Sequence, residues 1–263
     1  MKRSFEPLYE HFHPEEREFV DRALEWIDRA VRRHEKRVTG FLDPRQADIV
    51  SSLAAREPEA ALLMEGGYEG AERRVAVIAP AYMPPAPEDA GIRLVSVTSE
   101  DARFSELKHG DFLGALLGLG LRRDRIGDIH PHPGFCHVMA AGDLAEYIAL
   151  HLRQVHRVNV TAEIVPLERL QVSEPRLAPL HLSVASMRLD GIVSDVVRMS
   201  RAKVVEPIRA GRCRVNWRIV EDPSHQLKVG DVVSLKGFGR FKILQSEGTT
   251  RSGRIRLTVG IWQ

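Results

Sequence analysis

Cysteine is nearly missing from this chain. Cys136 and Cys213 are the only two, and they lie far apart. They offer neither a disulfide framework nor a CxxC metal knuckle, so each is expected to be a buried small hydrophobe in a reducing cytosol. Long apolar runs are missing too. Nothing approaches the roughly 20 residues of a membrane span, and the opening MKRSFEPLYEHFHPEEREF carries no apolar run and no cleavage signal. The expected location is the cytoplasm, with no membrane partner. There is no Walker-type GKS or GKT and no GxSxG. Gly114, Gly118 and Gly120 do not form GxGxxG and fall inside a helical pattern, so no nucleotide site is expected. His130, His132, Cys136 and His137 sit around a stiff loop made by Pro131 and Pro133. No carboxylate or further cysteine completes a metal-ligand spacing there, and the stretch reads as a loop followed by a strand. No metal, cofactor or small-molecule substrate is expected, and no catalytic residue can be named.

What is present is an ordinary globular composition, 43% hydrophobic and 28% charged, in 263 residues, enough for two or three domains. The formal charge of +2 becomes informative once divided. From Ser186 onward 15 Lys/Arg face 7 Asp/Glu, a balance of +8, while the remainder carries −6. A basic module on an acidic body points to a polyanion partner for the module alone.

The organisation expected is α+β. Residues 14–37 begin with Pro14 and acids and end in bases, the charge order a helix prefers, with Phe19, Val20, Ala23, Leu24, Ile27 and Val31 as its apolar stripe and Gly40 closing it. A second helix starts at the Asp43-Pro44 cap and runs to about Arg56. Residues 60–80 read as a β-hairpin around a polar, glycine-rich loop. After a proline-rich bridge, residues 92–165 run strand, helix, strand, strand, helix, strand, the β-α-β-β-α-β order of a ferredoxin-like fold, with Asp111 and Asp143 as helix caps. Residues 166–179 read as a linker, and 180–263 as a basic domain. The division expected is therefore 1–80 (helical, with a hairpin), 81–170 (ferredoxin-like) and 180–263.

Ser186 to Arg218 is the most informative stretch, with eight Lys/Arg against three acids. Leu189, Ile192, Val193, Val196 and Val197 share a helix face, with Ser186 as the expected N-cap. Ser200 opens a second helix whose first turn holds Arg201 and Lys203. Cations beside exposed helix N–H groups make a seat for phosphate. Pro207 is expected to kink that helix. Cys213-Arg214-Val215 reads as a strand, Trp217 as a residue that either stacks on a base or fills the core, and Phe238 and Phe241 as core. Arg240 and Lys242 alternate with these phenylalanines and so share a face. The residues expected to meet RNA are Arg188, Asp190, Ser200, Arg201, Lys203, Arg209, Arg212, Arg214, Asn216, Trp217, Arg218, Arg240 and Lys242. A second RNA or partner site is expected at Gly66, Gly67, Tyr68, Gly70, Arg73 and Arg74, although a plain hairpin turn explains these residues equally well by composition.

Arg188-Leu189-Asp190, Ser200-Arg201-Ala202-Lys203, Gly211, Val215-Asn216-Trp217, Leu227, Gly230-Asp231 and Val233 resemble the S4 RNA-binding domain. That resemblance implies two helices and an adjoining strand forming a basic L-shaped surface for structured RNA. Gly66 to Arg74 (GGYEGAERR), Phe41 to Arg45, Asp111 to Gly120 and Arg123 to Asp128 are similar to signatures of the YlmH family of bacterial proteins, so the likeness spans almost the whole chain. The +8 tail, the Arg188, Ser200-Arg201 and Lys203 constellation and the lack of a catalytic signature make a non-catalytic RNA-binding protein the favoured reading, expected as a monomer. The YlmH resemblance implies association with large-subunit rRNA and peptidyl-tRNA on the large ribosomal subunit, in quality control of stalled nascent chains, with a link to cell division. The alternative is an rRNA- or tRNA-modifying enzyme, since S4-like modules often deliver a catalytic domain to rRNA. Arg188-Leu189-Asp190 invites comparison with pseudouridine synthases, but it opens a helix of the S4-like module with no catalytic domain around it. A third reading is a division scaffold whose basic patch binds acidic proteins or membrane.

Overall fold

The computed structural model describes residues 9–174, 177–249 and 253–262, which form two compact units, 1–173 and 174–263. The helical region and the middle domain expected from the sequence share the first unit.

The first unit opens with α1 (Arg17–Arg33), whose Phe19, Val20, Ala23, Ile27 and Ala30 are buried. The helix stops four residues short of expectation, because His34 takes a left-handed conformation at its C-terminus (φ +56°). The chain then forms a strand that the sequence reading did not anticipate, β1 (Arg37–Leu42). Gly40 belongs to it rather than to a helix cap; a Cβ there would lie 2.6 Å from the Asp124 carbonyl oxygen. Helix α2 (Pro44–Ala54) starts at Asp43, whose side chain accepts from the Gln46 N–H. Strands β2 (Ala60–Glu65) and β3 (Arg74–Pro80) form the expected hairpin, and β1 completes a three-stranded antiparallel sheet in the order β1-β3-β2.

Next come β4 (Ile92–Thr98), α3 (His109–Gly118), β5 (Ile126–Pro131), β6 (Phe135–Ala141), α4 (Gly142–His151), the short hairpin β7 (Gln154–Val155) and β8 (Val158–Asn159), and β9 (Thr161–Val165). Their four-stranded sheet has the order β5-β6-β4-β9 with every neighbouring pair antiparallel, so two βαβ units interleave. The caps differ from expectation. Lys108 and Ala141 hold the N-cap positions, and Asp111 instead sits one turn in, where its carboxylate accepts the Lys108 N–H at 2.8 Å.

The two sheets meet face to face. On β3, Ala76 and Ile78 face the α1/α2 core, while Val75 and Val77 face the middle domain. On β4, Val95 and Val97 face α3 and α4, while Ile92 and Leu94 face the N-terminal sheet. The layers thus run helices, sheet, sheet, helices. Gly127 sits in the seam, where a Cβ would lie 2.6 Å from the Phe41 ring and 2.8 Å from Met139.

The second unit contains β10 (Leu177–Val184), α5 (Leu189–Val197), α6 (Arg201–Arg209), β11 (Cys213–Val215), β12 (Arg218–Ile219), β13 (Val232–Leu235), β14 (Gly239–Thr249) and β15 (Ile255–Trp262). The sheet order is β10-β15-β14-β13-β11-β12. Leu177 to Pro179, expected in a linker, belong to β10; a proline is tolerated there because β10 is an edge strand. Arg188, not Ser186, caps α5, whereas Ser200 does cap α6. Helix α6 continues through Pro207. The Ala210 N–H bonds the Glu206 carbonyl and the Arg212 N–H bonds the Pro207 carbonyl, both at 3.0 Å, so the turn beyond the proline stays hydrogen-bonded. Both helices lie on one side of the sheet, with Leu189, Ile192, Val193, Val204 and Ile208 against Val233, Phe241, Ile243 and Val259. Phe238, expected in this core, is 53% exposed at the β13–β14 turn.

Candidate nucleic-acid interface

On the helix side of the second unit, Asp190 is the organising residue. It is buried and accepts bonds from Arg188 Nε (3.1 Å), Arg188 Nη2 (2.9 Å) and the Gly191 N–H (2.7 Å). Arg201 Nη2 approaches the same carboxylate at 3.7 Å. The guanidinium of Arg201 lies directly on Gly191, where a Cβ would come within 2.5 Å of Nη2. The hydrogen bonds from Arg188, with the Arg201 charge, hold the Asp190 carboxyl below the usual carboxylate range, against the effect of burial. The start of α5 is tied down by Leu189 N–H to the His225 carbonyl (2.9 Å) and Asp190 N–H to the Pro223 carbonyl (3.0 Å). Two guanidiniums on one carboxylate leave a positive surplus. Exposed Lys203 adds to it in a first turn that holds no acid, and exposed Ser200 makes no side-chain capping bond.

The strand register divides the expected RNA set between two faces. Phe241 and Ile243 point to the helices, so Arg240 and Lys242 point to the opposite side of the sheet. Arg214, paired with Ser234, whose partner is Arg240, shares that outer face, since its neighbours Cys213 and Val215 are buried. Arg240 and Lys242 therefore lie on the other side of the sheet from the helices that carry Arg188, Arg201 and Lys203, because a pleated strand sends alternate side chains to opposite faces. Arg240 stacks 4.2 Å from the Trp262 ring centre and lies 5.9 Å from that of Trp217. Asn216 and Trp217 form the two-residue turn between β11 and β12, both at positive φ (+49° and +64°). The Asn216 side chain donates to Asp231 Oδ1 (2.8 Å) and accepts the Val232 N–H (2.9 Å), so it fastens the turn and is not held out for a ligand. Arg209, Arg212 and Arg218 are exposed at the end of α6, on the connection to β11, and on the edge strand β12.

The glycine-rich loop belongs to the first unit; Gly66 is buried and Tyr68 and Arg73 are half-buried, while Glu69, Gly70 and Glu72 are exposed. Asp128, which was legible only as the end of a family signature, binds the whole loop. It accepts from Tyr68 Oη (2.8 Å), the Glu72 N–H (2.7 Å) and the Arg73 N–H (3.1 Å). The Arg73 guanidinium donates to the carbonyls of Phe41 (2.7 Å) and Ile126 (3.3 Å). Arg123 caps the Ile126 and Gly127 carbonyls, and burial lowers its pKa to about 10. Burial, with the bond to Asp128, also pushes the Tyr68 hydroxyl up. Tyr68 and Arg73 thus fasten the joint between the two sheets. Gly66 and Gly67 serve close packing, since Cβ atoms there would lie 2.2 Å from Ala71 and 2.1 Å from Met139. Gly70 and Arg74 line an open cleft of about 850 Å³ together with Glu65, Glu88 and Arg93. Both cysteines are buried and desolvation raises their thiols, Cys213 to about 12, so neither offers a thiolate.

Three family models match the chain: "YlmH, N-terminal" over residues 15–83, "Putative RNA-binding domain in YlmH" over 85–169 and "S4 domain" over 187–233. The ribosome-associated protein quality control protein P2 of Bacillus subtilis (strain 168) is 34% identical over 251 residues, covering 95% of this chain and 97% of its own. The solved structure of the cell division protein ylmH from Streptococcus pneumoniae aligns with a TM-score of 0.54 at 26% identity, covering 61% of this chain and 98% of that one. Among the described residues, no helix is long and apolar enough to cross a membrane.

Proposed function

The chain belongs to the YlmH family, a homologue of a ribosome-associated quality control protein with RNA-binding and S4 domains, and from that premise we propose that its S4 module holds the large ribosomal subunit and peptidyl-tRNA during quality control of stalled nascent chains. The protein works in the cytoplasm, as a monomer that binds RNA and does not transform it. The observation that carries this is the acid-free first turn of α6, where Arg201 approaches an Asp190 already matched by Arg188 and Lys203 is exposed. Affinity comes chiefly from phosphate neutralisation and the fit to folded RNA. The relative's name and the RNA-binding models suit a binding protein, and the modifying-enzyme alternative gains no support from two buried, protonated thiols.

The test is co-sedimentation with purified large subunits. Arg201→Ala/Lys203→Ala removes two cations and should abolish association at physiological salt, with the slope of log affinity against log salt falling by about 1.4 to 1.8. Arg188 is left in place because its loss strands a buried carboxylate and destabilises the module. Undiminished co-sedimentation of the double variant would overturn the assignment.

A further inference from the structure

The middle domain matches a model described as RNA-binding, and nothing in that description says which surface is used. RNA-binding domains with a four-stranded sheet backed by two helices commonly take RNA on the open sheet face, where aromatic side chains stack on bases. Here that face is closed twice over. Ile92, Leu94, Met139 and Val165 pack beneath Phe41, Val75 and Val77 of the N-terminal sheet, and Leu94 and Met139 are 0% exposed. The other half of the face carries Ser96, His130 and His137, all buried. The chain after β9 straps across it, with the Gln171 N–H donating to His137 Nδ1 (3.1 Å) and the Ser173 N–H to His130 Nδ1 (3.3 Å).

The remaining candidate lies at the far end of α4. Between Glu146 and Glu163 the sequence has no Asp or Glu, yet it holds His151, Arg153, His156 and Arg157. All four are exposed, while Leu152, Val155, Val158 and Val160 between them are buried, so the β7–β8 hairpin is pinned to the core and presents its polar side chains outward. Exposed Arg103 and Arg122 of this unit are matched with Asp101 and Asp124, and half-buried Arg125 with Asp143. Exposed Arg93 and Arg169 of the middle domain have no carboxylate partner among the described residues, but they stand singly rather than in an acid-free run. Among the described residues, Arg153 and Arg157 have no carboxylate within 4.0 Å. Tyr147, 40% exposed one turn before His151, packs its ring 4.3 Å from that imidazole.

We infer that the β7–β8 hairpin and the end of α4 form the RNA-contacting surface of the middle domain, Arg153 and Arg157 taking phosphates and the Tyr147–His151 pair stacking against an unpaired base. This rests on the RNA-binding function proposed above and assigns it a second, separate footprint.

The test uses the full chain and a fluorescein-labelled RNA hairpin carrying a single-stranded tail, titrated at several salt concentrations. Arg153→Ala/Arg157→Ala should weaken binding about fivefold or more and lower the salt slope by about 1.4 to 1.8. Its unfolding midpoint should not move, because both side chains are exposed. Arg201→Ala/Lys203→Ala is measured beside it, as is the four-fold variant, in which the losses should add. If only the hairpin variant loses affinity, the S4 assignment fails and this one stands. If only the S4 variant does, the reverse holds. Weakening by Phe135→Ala, with the hairpin variant unaffected, would mean the strap opens and the sheet is the true surface. Loss of nuclease-resistant ribosome association with naked RNA binding intact would make the hairpin a protein-docking site. Either result overturns the inference.

Discussion

Asp128 and Asp190 play the same part at different joints: each gathers several donors on one carboxylate. An amide cannot replace either one, because it turns one acceptor oxygen into a donor facing N–H and O–H groups. Asp128→Asn should therefore cost the first unit about 2 kcal/mol, and Tyr68→Phe, which removes one of its three donors, about 1 kcal/mol; urea unfolding reads both. Beside Asp128, burial lowers the His130 pKa to about 4. The unfolded chain protonates this ring near pH 6.5, so between pH 6.5 and 4 the unfolded state binds more protons and the first unit loses stability as pH falls, by at most about 3 kcal/mol. His130→Asn, which keeps an acceptor for the Ser173 N–H, should flatten that part of the stability curve in unfolding titrations. In the second unit Asp190 acts in a lower window. Its depressed pKa gives stability that is present above the ordinary carboxylate range and lost as pH falls through and below it.

At the scale of elements, the outer face of the second unit's sheet is where a structural role and a binding role can be told apart by experiment. Arg240 bridges β14 to Trp262 on β15 and to Trp217 at the β11–β12 turn, and a partly exposed cation–π stack is worth about 1 kcal/mol. Arg240→Ala should lower the second unit's stability by about that much, followed through tryptophan fluorescence, and should leave the salt slope of RNA binding unchanged. A reduced slope would show that the outer face also meets phosphate. Alternation along β14 was visible in the sequence, so the shared face of Arg240 and Lys242 was legible; which face the helices would cover was not. Helices and hairpin strands were readable where periodicity and caps agreed, as at Asp43-Pro44. Strand β1 was not, because a basic helix end followed by Gly40 satisfies the rules for a helix stop equally well. What makes Gly40 necessary is Asp124, more than eighty positions away. Strand β10 hid behind Pro179, since a proline counts against a strand unless the strand is known to be an edge.

At the scale of the whole chain, the family models divide residues 15–83 from 85–169, whereas the packing makes one body of them. The clue in the sequence was slight: β3 and β4 are short apolar runs, and such a run is compatible with a strand covered on both sides or with a buried helix segment. Nothing local says that Val75 and Val77 cover Leu94 and Met139, or that an aspartate in one domain holds the glycine-rich loop of the other. That contact covers the half of the middle domain's sheet face that carries Ile92, Leu94, Met139 and Val165. It also makes a prediction about folding. Residues 85–169 produced alone would expose Ile92, Leu94, Met139 and Val165, each worth about 1.5 to 3 kcal/mol when buried. Loss of several such terms approaches the whole stability of a small domain. The fragment should be aggregation-prone and melt without cooperativity, while 1–173 should unfold in a single transition by both circular dichroism and Trp26 fluorescence. Two separated transitions within 1–173 would mean that the seam between its sheets contributes little, and the middle domain's sheet would then be available to RNA after all.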